Sequence, residues 1–184
     1  MIDPVMVIGT GRCGSSFVSG ILHNDLNVCM GLRFEEPTKF NPEGYYEDID
    51  IKRNNGNLLE AFFTLQGWAK NIKDIMKDRM VRNIPWGFKD PRLCDLLGFY
   101  LTMFENPKII WCIRDRELVL KSLVQKYNFS PEQAILQHDV RMQSTERLMR
   151  GRDHLQVEFT EERYGKDDVI HLIKGKWGAL DGGA

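Results

Sequence analysis

Residues 5–18 read VMVIGTGRCGSSFV, and this stretch organises the rest of the chain. Its first four residues are an apolar run that ends at a glycine, and a loop of small residues follows. A helical pattern then begins, because Val18, Ile21 and Leu22 fall at positions i, i+3 and i+4. A strand, a glycine-rich loop and a helix in this order form a cradle in which backbone N–H groups and the helix dipole face an anion. The stretch therefore predicts a phosphate-binding loop.

The loop differs from a Walker A loop at one position. Gly9, four residues, Gly14 and two serines reproduce the G-x-x-x-x-G spacing and the final hydroxyl, but Ser15 stands where the Walker A lysine is expected. P-loop kinases use that lysine on the outer phosphates of the nucleotide. Here the cation of the loop is Arg12. We expect a phosphate to bind with different chemistry on its outer side; the alternative is a glycine-rich turn that only joins strand to helix.

Length and composition favour one soluble domain over residues 1–184. The chain has a formal net charge of −1, so no global field attracts nucleic acid or an anionic membrane. No apolar run approaches the ~18 residues of a membrane span, and the first strand begins too early for a signal peptide to precede it. Four scattered cysteines and four histidines form no zinc pattern and no metal cluster. We expect a cytoplasmic protein with reduced cysteines, and the sequence leaves its oligomeric state open.

Strands and helices alternate beyond the first helix. We predict strands over residues 26–31, 86–88, 108–113 and 154–159. We predict two helices separated by a break near Gly67, and a third over residues 93–104. Two more should begin after the N-cap candidates Asp115 and Ser130, and a last short helix should lie in the tail. This alternation predicts a three-layer α/β/α fold with a central, mainly parallel sheet. The acidic segment 32–50, interrupted by prolines and a glycine, is predicted to be a functional loop.

Cations follow three of the predicted strands. The first strand leads into Arg12, a later one into residues 89–92 (KDPR), and the next ends at Arg114. Ligands of such sheets bind at the carboxyl ends of the strands, so these cations predict a site for a multiply anionic ligand. Ser122 lies about two turns into the following helix, where it can reach the same anion as Arg114. The alternative for Arg114 is a surface arginine paired with a neighbouring carboxylate.

These residues resemble those of sulfotransferases that use 3′-phosphoadenosine 5′-phosphosulfate (PAPS). Residues 11–16 (GRCGSS) resemble the family's 5′-phosphosulfate loop, and Arg114 with Ser122 resembles its 3′-phosphate motif. Residues 87–92 (GFKDPR) resemble a segment of tyrosylprotein sulfotransferases and bacterial relatives, and residues 41–48 (NPEGYYED) resemble a segment of bacterial members. The four motifs occur in the family's order.

The resemblance implies in-line transfer of a sulfuryl group from PAPS to a hydroxyl or amine, with 3′-phosphoadenosine 5′-phosphate (PAP) as the product and no metal. The residues that it implies for binding the nucleotide are Gly11, Arg12, Cys13, Gly14, Ser15, Ser16, Phe17, Arg114 and Ser122. Phe17 stands where many members have a tryptophan that packs on adenine, and Cys13 replaces the usual serine. Arg12 and Lys89 are the implied catalytic cations, which would offset negative charge on the leaving phosphate.

A base must also take the proton of the acceptor. The histidine that cytosolic members use falls on Pro91 in this sequence. Tyrosylprotein sulfotransferases instead use a glutamate in the acidic segment after the first helix, which points to Glu36 and, next, to Glu35; Glu47 and Asp90 are the alternatives. Each of these carboxylates could instead be an ordinary solvated loop charge.

Three other functions remain open at this point. The first is a P-loop kinase or nucleotidase, the second a non-catalytic relative that binds the desulfated nucleotide, and the third a protein-interaction domain on the same scaffold. The acceptor of a sulfotransferase could be a small molecule, a glycan or a peptide.

The family has a late R-K-G segment that also binds the 3′-phosphate. In this sequence only residues 174–176 (KGK) resemble it.

Overall fold

Four strands and seven helices alternate along the described part of the chain. A computed structural model describes residues 3–62, 64–80, 85–160 and 165–180. The strands are β1 (Val5–Ile8), β2 (Gly87–Lys89), β3 (Lys108–Arg114) and β4 (Leu155–Phe159). The helices are α1 (Ser15–Asn24), α2 (Ile49–Leu59), α3 (Leu65–Met80), α4 (Leu93–Met103), α5 (Arg116–Tyr127), α6 (Pro131–Met149) and α7 (Lys166–Trp177).

The strands form one parallel sheet in the order β2-β1-β3-β4. In β1, Met6 is aligned with Phe88 on one side and with Ile109 on the other. β1 and most of β3 are buried, which is why both read as continuous apolar runs rather than alternating ones. Because β1 lies between β2 and β3, the loop that follows it opens at the middle of the sheet's carboxyl edge.

Helices cover both faces of the sheet, which confirms the predicted α/β/α layering. Val5 and Val7 of β1 face the apolar core that includes side chains of α1 and α7. Met6 and Ile8 face the opposite core, which includes side chains of α3 and α4. This division follows from the alternation of side chains along a strand. No described helix is long and apolar enough to cross a membrane.

Two sequence predictions are wrong in detail. Residues 26–31 form no strand; Cys29 makes only an isolated parallel bridge to Trp86. The backbone of Asn27 lies in the left-handed region (φ 53°), which interrupts an extended conformation. The predicted break near Gly67 falls earlier, between the end of α2 at Leu59 and the start of α3 at Leu65.

The predicted N-caps are confirmed. The Asp115 carboxylate accepts a hydrogen bond from the Leu118 N–H at the start of α5. Ser130 and Gln133 form a reciprocal capping box at the start of α6. These local signals fix where each helix begins, and the start of α5 fixes the distance from Arg114 to Ser122.

Candidate functional site

The loop between β1 and α1 has a backbone shaped for close approach. Gly11, Arg12 and Gly14 have φ values of 94°, 59° and 89°, all in the left-handed region. Gly14 is the N-cap of α1 and provides no side-chain cap, so the N–H groups of the first turn are open to an external acceptor. A Cβ atom at Gly14 would lie 2.5 Å from the Phe159 ring. The loop therefore needs glycine there for both conformation and space.

A cavity of about 370 Å³ lies against this loop, at the carboxyl ends of β1, β2 and β3. The predicted binding residues that line it are Gly11, Arg12, Gly14, Ser15, Ser16, Phe17, Lys89 and Arg114. We call it the loop cavity. It brings together Arg12, Lys89 and Arg114, the cations predicted at one edge of the sheet, whereas Ser122 does not line it.

Two arginines of the loop cavity have no carboxylate partner among the described residues. Arg12 donates from Nε to the Ser122 hydroxyl at 2.8 Å. Arg114 donates to the carbonyl oxygen of Arg12 at 3.3 Å. Arg114 and Ser122 thus each form a hydrogen bond with Arg12, and no hydrogen bond joins these two described residues to each other. Guanidinium groups held only by neutral acceptors are disposed to bind an anion.

Lys89 is held differently. Its side chain is 3% exposed, at the end of β2. Its ammonium group donates to the Ser16 hydroxyl at 3.1 Å, to the Tyr45 carbonyl at 3.3 Å and to Glu47 Oε1 at 2.6 Å. Lys89 therefore contacts both Ser16, at the start of α1, and a buried carboxylate.

The contact between Lys89 and Glu47 belongs to a longer chain of charges. Glu47 Oε2 lies 3.0 Å from the Lys52 ammonium, and Lys52 also contacts Glu35 at 2.5 Å. We call Glu35, Lys52, Glu47 and Lys89 the charge ladder. Burial alone would raise the pKa of Glu47, but Lys89 and Lys52 lower this pKa below its ordinary value overall. A carboxylate held ionised in this way is a weak proton acceptor, so Glu47 is a poor candidate for the base.

A second cavity of about 630 Å³ adjoins the first and shares Gly11, Tyr45 and Glu47 with it. Glu35 and Glu36 both line this second cavity. We call it the outer cavity. The structure thus places the two preferred base candidates beside the loop cavity rather than inside it.

Asp90, the other alternative for the base, is buried and fully engaged. Its carboxylate accepts hydrogen bonds from the Asn55 amide at 3.1 Å and from the Arg92 guanidinium at 3.0 Å. Arg92 in turn donates to the Lys52 carbonyl. This cation of the 89–92 segment therefore braces α2 and lines only the outer cavity.

Two predicted nucleotide-binding residues differ in how they could act. Cys13 is 1% exposed and its sulfur packs beneath the loop near Gly9, so only its backbone can face a ligand. Phe17 lines the loop cavity and meets Phe159 edge-to-face, with ring centroids 6.1 Å apart. Residues 174–176 lie on α7, where Lys176 pairs with Asp153, and they line neither cavity.

Sequence reasoning included Tyr45 only within the 41–48 segment and missed Lys126; both line the two cavities. The Lys126 ammonium lies 4.5 Å from the centre of the Tyr45 ring. A signal for Lys126 was available, because it follows Ser122 by four residues and so shares its face of α5. Burial alone would raise the pKa of Tyr45, but its hydrogen bond with Thr38 and the nearby Lys126 lower this pKa overall.

No three or more His, Cys, Asp or Glu side chains of the described residues are grouped so that they could hold a metal ion. The positive charge of the site comes from Arg12, Lys89, Arg114 and Lys126. The arrangement can therefore bind a ligand with several negative charges through side chains and backbone N–H groups.

Comparisons with known proteins bear on the fold. No protein-family model matches the chain, and no curated protein shows significant sequence similarity to it. Among solved structures, the chain is similar to a protein from Chloroflexus aurantiacus J-10-fl described as a "putative kinase". The TM-score is 0.50 at 10% sequence identity, and the match covers 96% of this chain and 99% of that one. At this identity the likeness shows the fold alone.

Proposed function

We propose that this protein is a nucleotide-dependent transferase that moves a sulfuryl group from PAPS to a hydroxyl or amine of an acceptor. The observation that carries the proposal is the Lys89 ammonium, 3.1 Å from the Ser16 hydroxyl. In P-loop kinases the hydroxyl at this position binds Mg²⁺, and a lysine precedes it in the loop. Here Ser15 precedes it, and Lys89 supplies positive charge where the kinases use the metal ion.

The loop cavity supports binding of a 3′,5′-bisphosphorylated nucleotide. Arg12 and the N–H groups at the start of α1 would hold the 5′-phosphate. Arg114 and Ser122 would hold the 3′-phosphate, since both lie next to Arg12. Phe17 lines the same cavity and offers an aromatic ring for the adenine.

The outer cavity supports an acceptor site because it meets the loop cavity at Tyr45 and Glu47. In the transfer, the acceptor oxygen forms a bond to sulfur as the bond from sulfur to the 5′-phosphate oxygen breaks. Lys89 offsets the charge that develops on the leaving phosphate. The acceptor proton passes to Glu36 or Glu35, the carboxylates of the outer cavity that the resemblance indicates.

A P-loop kinase, or another nucleotide-binding protein of this fold, is the second candidate. The structural comparison is compatible with this alternative, because the matched protein is described as a "putative kinase". The loop favours the first candidate, because Ser15 stands in place of the Walker A lysine. The two candidates differ in the nucleotide that they bind, which makes them separable without knowledge of the acceptor.

The deciding experiment is a thermal-shift titration with PAP, ATP and AMP. A ligand at 100 times its dissociation constant stabilises by about 2.7 kcal/mol, which is roughly 5 to 10 °C for a chain of this length. We expect this shift with PAP and a smaller one with AMP. Arg114→Ala should weaken PAP binding by about tenfold to a hundredfold, because charge-assisted bonds to the 3′-phosphate are lost.

Arg116→Ala is the matched control, because Arg116 lies two residues away and pairs with Asp139 at the surface. This variant should leave the PAP shift unchanged. A shift with ATP but none with PAP would overturn the proposal in favour of a kinase-like protein. PAP binding without any conversion of PAPS to PAP, with water or candidate acceptors present, would indicate the non-catalytic alternative.

A further inference from the structure

Ser16, at the start of α1, and Glu47 both accept hydrogen bonds from the Lys89 ammonium group. We propose that Glu47 is a positioning residue: it is the resident counter-ion of Lys89, and the donor nucleotide displaces it from the lysine on binding. The inference rests on the proposed function, because it requires Lys89 to contact the anionic part of PAPS.

The contacts of Lys89 leave no N–H group for a ligand. An ammonium group has three donors, and these meet Ser16, the Tyr45 carbonyl and Glu47. A phosphate or sulfuryl oxygen must therefore replace one of these acceptors. At 2.6 Å, Glu47 also cancels the charge with which Lys89 would attract that oxygen.

Burial explains why the lysine needs a counter-ion before the ligand arrives. The side chains of Lys89 and Glu47 are 3% and 5% exposed. A buried ammonium without an opposite charge is strongly disfavoured, so the pair holds Lys89 close to Ser16 in the free protein. The carboxylate thus fixes the lysine in position at the expense of affinity for the anion.

Glu47 can release Lys89 because it has a second partner. Its other carboxylate oxygen lies 3.0 Å from the Lys52 ammonium, and Lys52 is half-buried. When a ligand oxygen takes over the Lys89 contact, Glu47 remains paired through Lys52. The exchange therefore replaces one anionic partner of Lys89 with another, and Lys89 and Glu47 both keep an oppositely charged partner.

The test is the affinity for PAP of the variant Glu47→Gln, measured by calorimetry on the full chain. Glutamine keeps the shape but removes the competing charge, so we expect PAP to bind about tenfold more tightly. Glu146→Gln is the matched control: Glu146 is exposed on α6 and lines neither cavity, and its substitution should change the affinity less than about twofold. In a Lys89→Met background, Glu47→Gln should have no effect on PAP affinity.

A second readout separates positioning from a merely structural role. Glu47→Gln should lower the unfolding midpoint of the free protein and enlarge the PAP-induced shift, whereas a structural glutamate would lower the midpoint and leave the shift unchanged or smaller. If Glu47→Gln does not fold, Glu47→Asp keeps the charge but retracts it from Lys89, and an intermediate gain in PAP affinity is expected.

The outcomes are distinct from those of the proposed function. A wild-type protein that does not bind PAP overturns the proposed function and this inference together. If the wild-type protein binds PAP but Glu47→Gln and Glu47→Asp bind it equally or more weakly, only this inference is overturned.

Discussion

The phosphate loop and the charge ladder prepare the same site in opposite ways. In the loop, the shape depends on left-handed backbone at Gly11 and Gly14, and Arg12 contacts only neutral acceptors among the described residues. In the ladder, each charge lies within 3.0 Å of an opposite one. The loop side therefore depends on a ligand to balance its charge, whereas the ladder side is balanced before any ligand binds.

A second buried carboxylate, Asp48, directly follows Glu47 of the charge ladder in the chain. This carboxylate caps α2 by accepting from the N–H groups of Asp50 and Ile51, and it accepts another hydrogen bond from the Leu32 N–H. It also pairs with Arg79, and both side chains are at most 1% exposed. The acidic segment after α1, which the sequence predicted to be a functional loop, is thus anchored by buried charges.

The largest expected effect is on this anchor. Asp48→Asn keeps a capping oxygen but removes the charge opposite Arg79, and breaking a buried ion pair costs about 3–5 kcal/mol in the free energy of unfolding. Asp50→Asn is the control, since its pair with Arg33 is exposed and worth less than about 1 kcal/mol. Urea denaturation of both variants measures the difference. Equal costs would mean that the segment is held like any surface loop.

The sequence predicted the loop side far better than the ladder side. The signals of the phosphate loop are local: glycine spacing within residues 9–16, and cations that directly follow strands. The ladder joins residues that lie 17 and 42 positions apart, such as Glu35 with Lys52 and Glu47 with Lys89. No periodicity specifies such pairs, because they form only when α2 packs beside the end of β2.

The fold was predictable for a related reason. Continuous apolar runs specified β1 and β3, alternation specified β4, and capping residues specified the starts of α5 and α6. The predicted strand over residues 26–31 failed because composition alone does not reveal the left-handed backbone at Asn27. Pairing of this segment with Trp86 is reduced to one bridge. Backbone conformation at single residues and distant charge pairs are the two features that the sequence does not express.

The second-largest expected effect comes from replacing the glycines of the phosphate loop, Gly14 and Gly11. Gly14→Ala forces an alanine into the left-handed region and places its Cβ 2.5 Å from Phe159, which we expect to cost about 2–4 kcal/mol in the free energy of unfolding. Gly11→Ala has the same backbone strain but no atom within 4 Å of the added Cβ, and should cost about 1 kcal/mol. Denaturation of the pair separates crowding from strain. Similar costs would show that packing against Phe159 does not shape the loop.

The smallest effect sharpens the comparison by making it depend on pH. The pKa of Glu47 in the folded protein lies below its ordinary value of 4.5 because of Lys89 and Lys52, against the opposing effect of burial. Its pairing therefore stabilises the fold fully above about pH 4.5 and loses that contribution as the pH falls through the folded-state pKa. Protonated glutamate resembles glutamine. The stability difference between wild type and Glu47→Gln should therefore shrink to zero as the pH falls through the folded-state pKa of Glu47.

Urea midpoints of both proteins between about pH 7 and pH 3 would measure this convergence. The difference between wild type and Glu43→Gln should stay small throughout, because Glu43 is exposed and lies outside the ladder. If the wild type and Glu47→Gln instead differed by the same amount at every pH, Glu47 would stabilise the fold through its shape and not its charge. The charge ladder would then stabilise the fold by packing rather than by charge pairing. It would differ from the phosphate loop only in its backbone conformation.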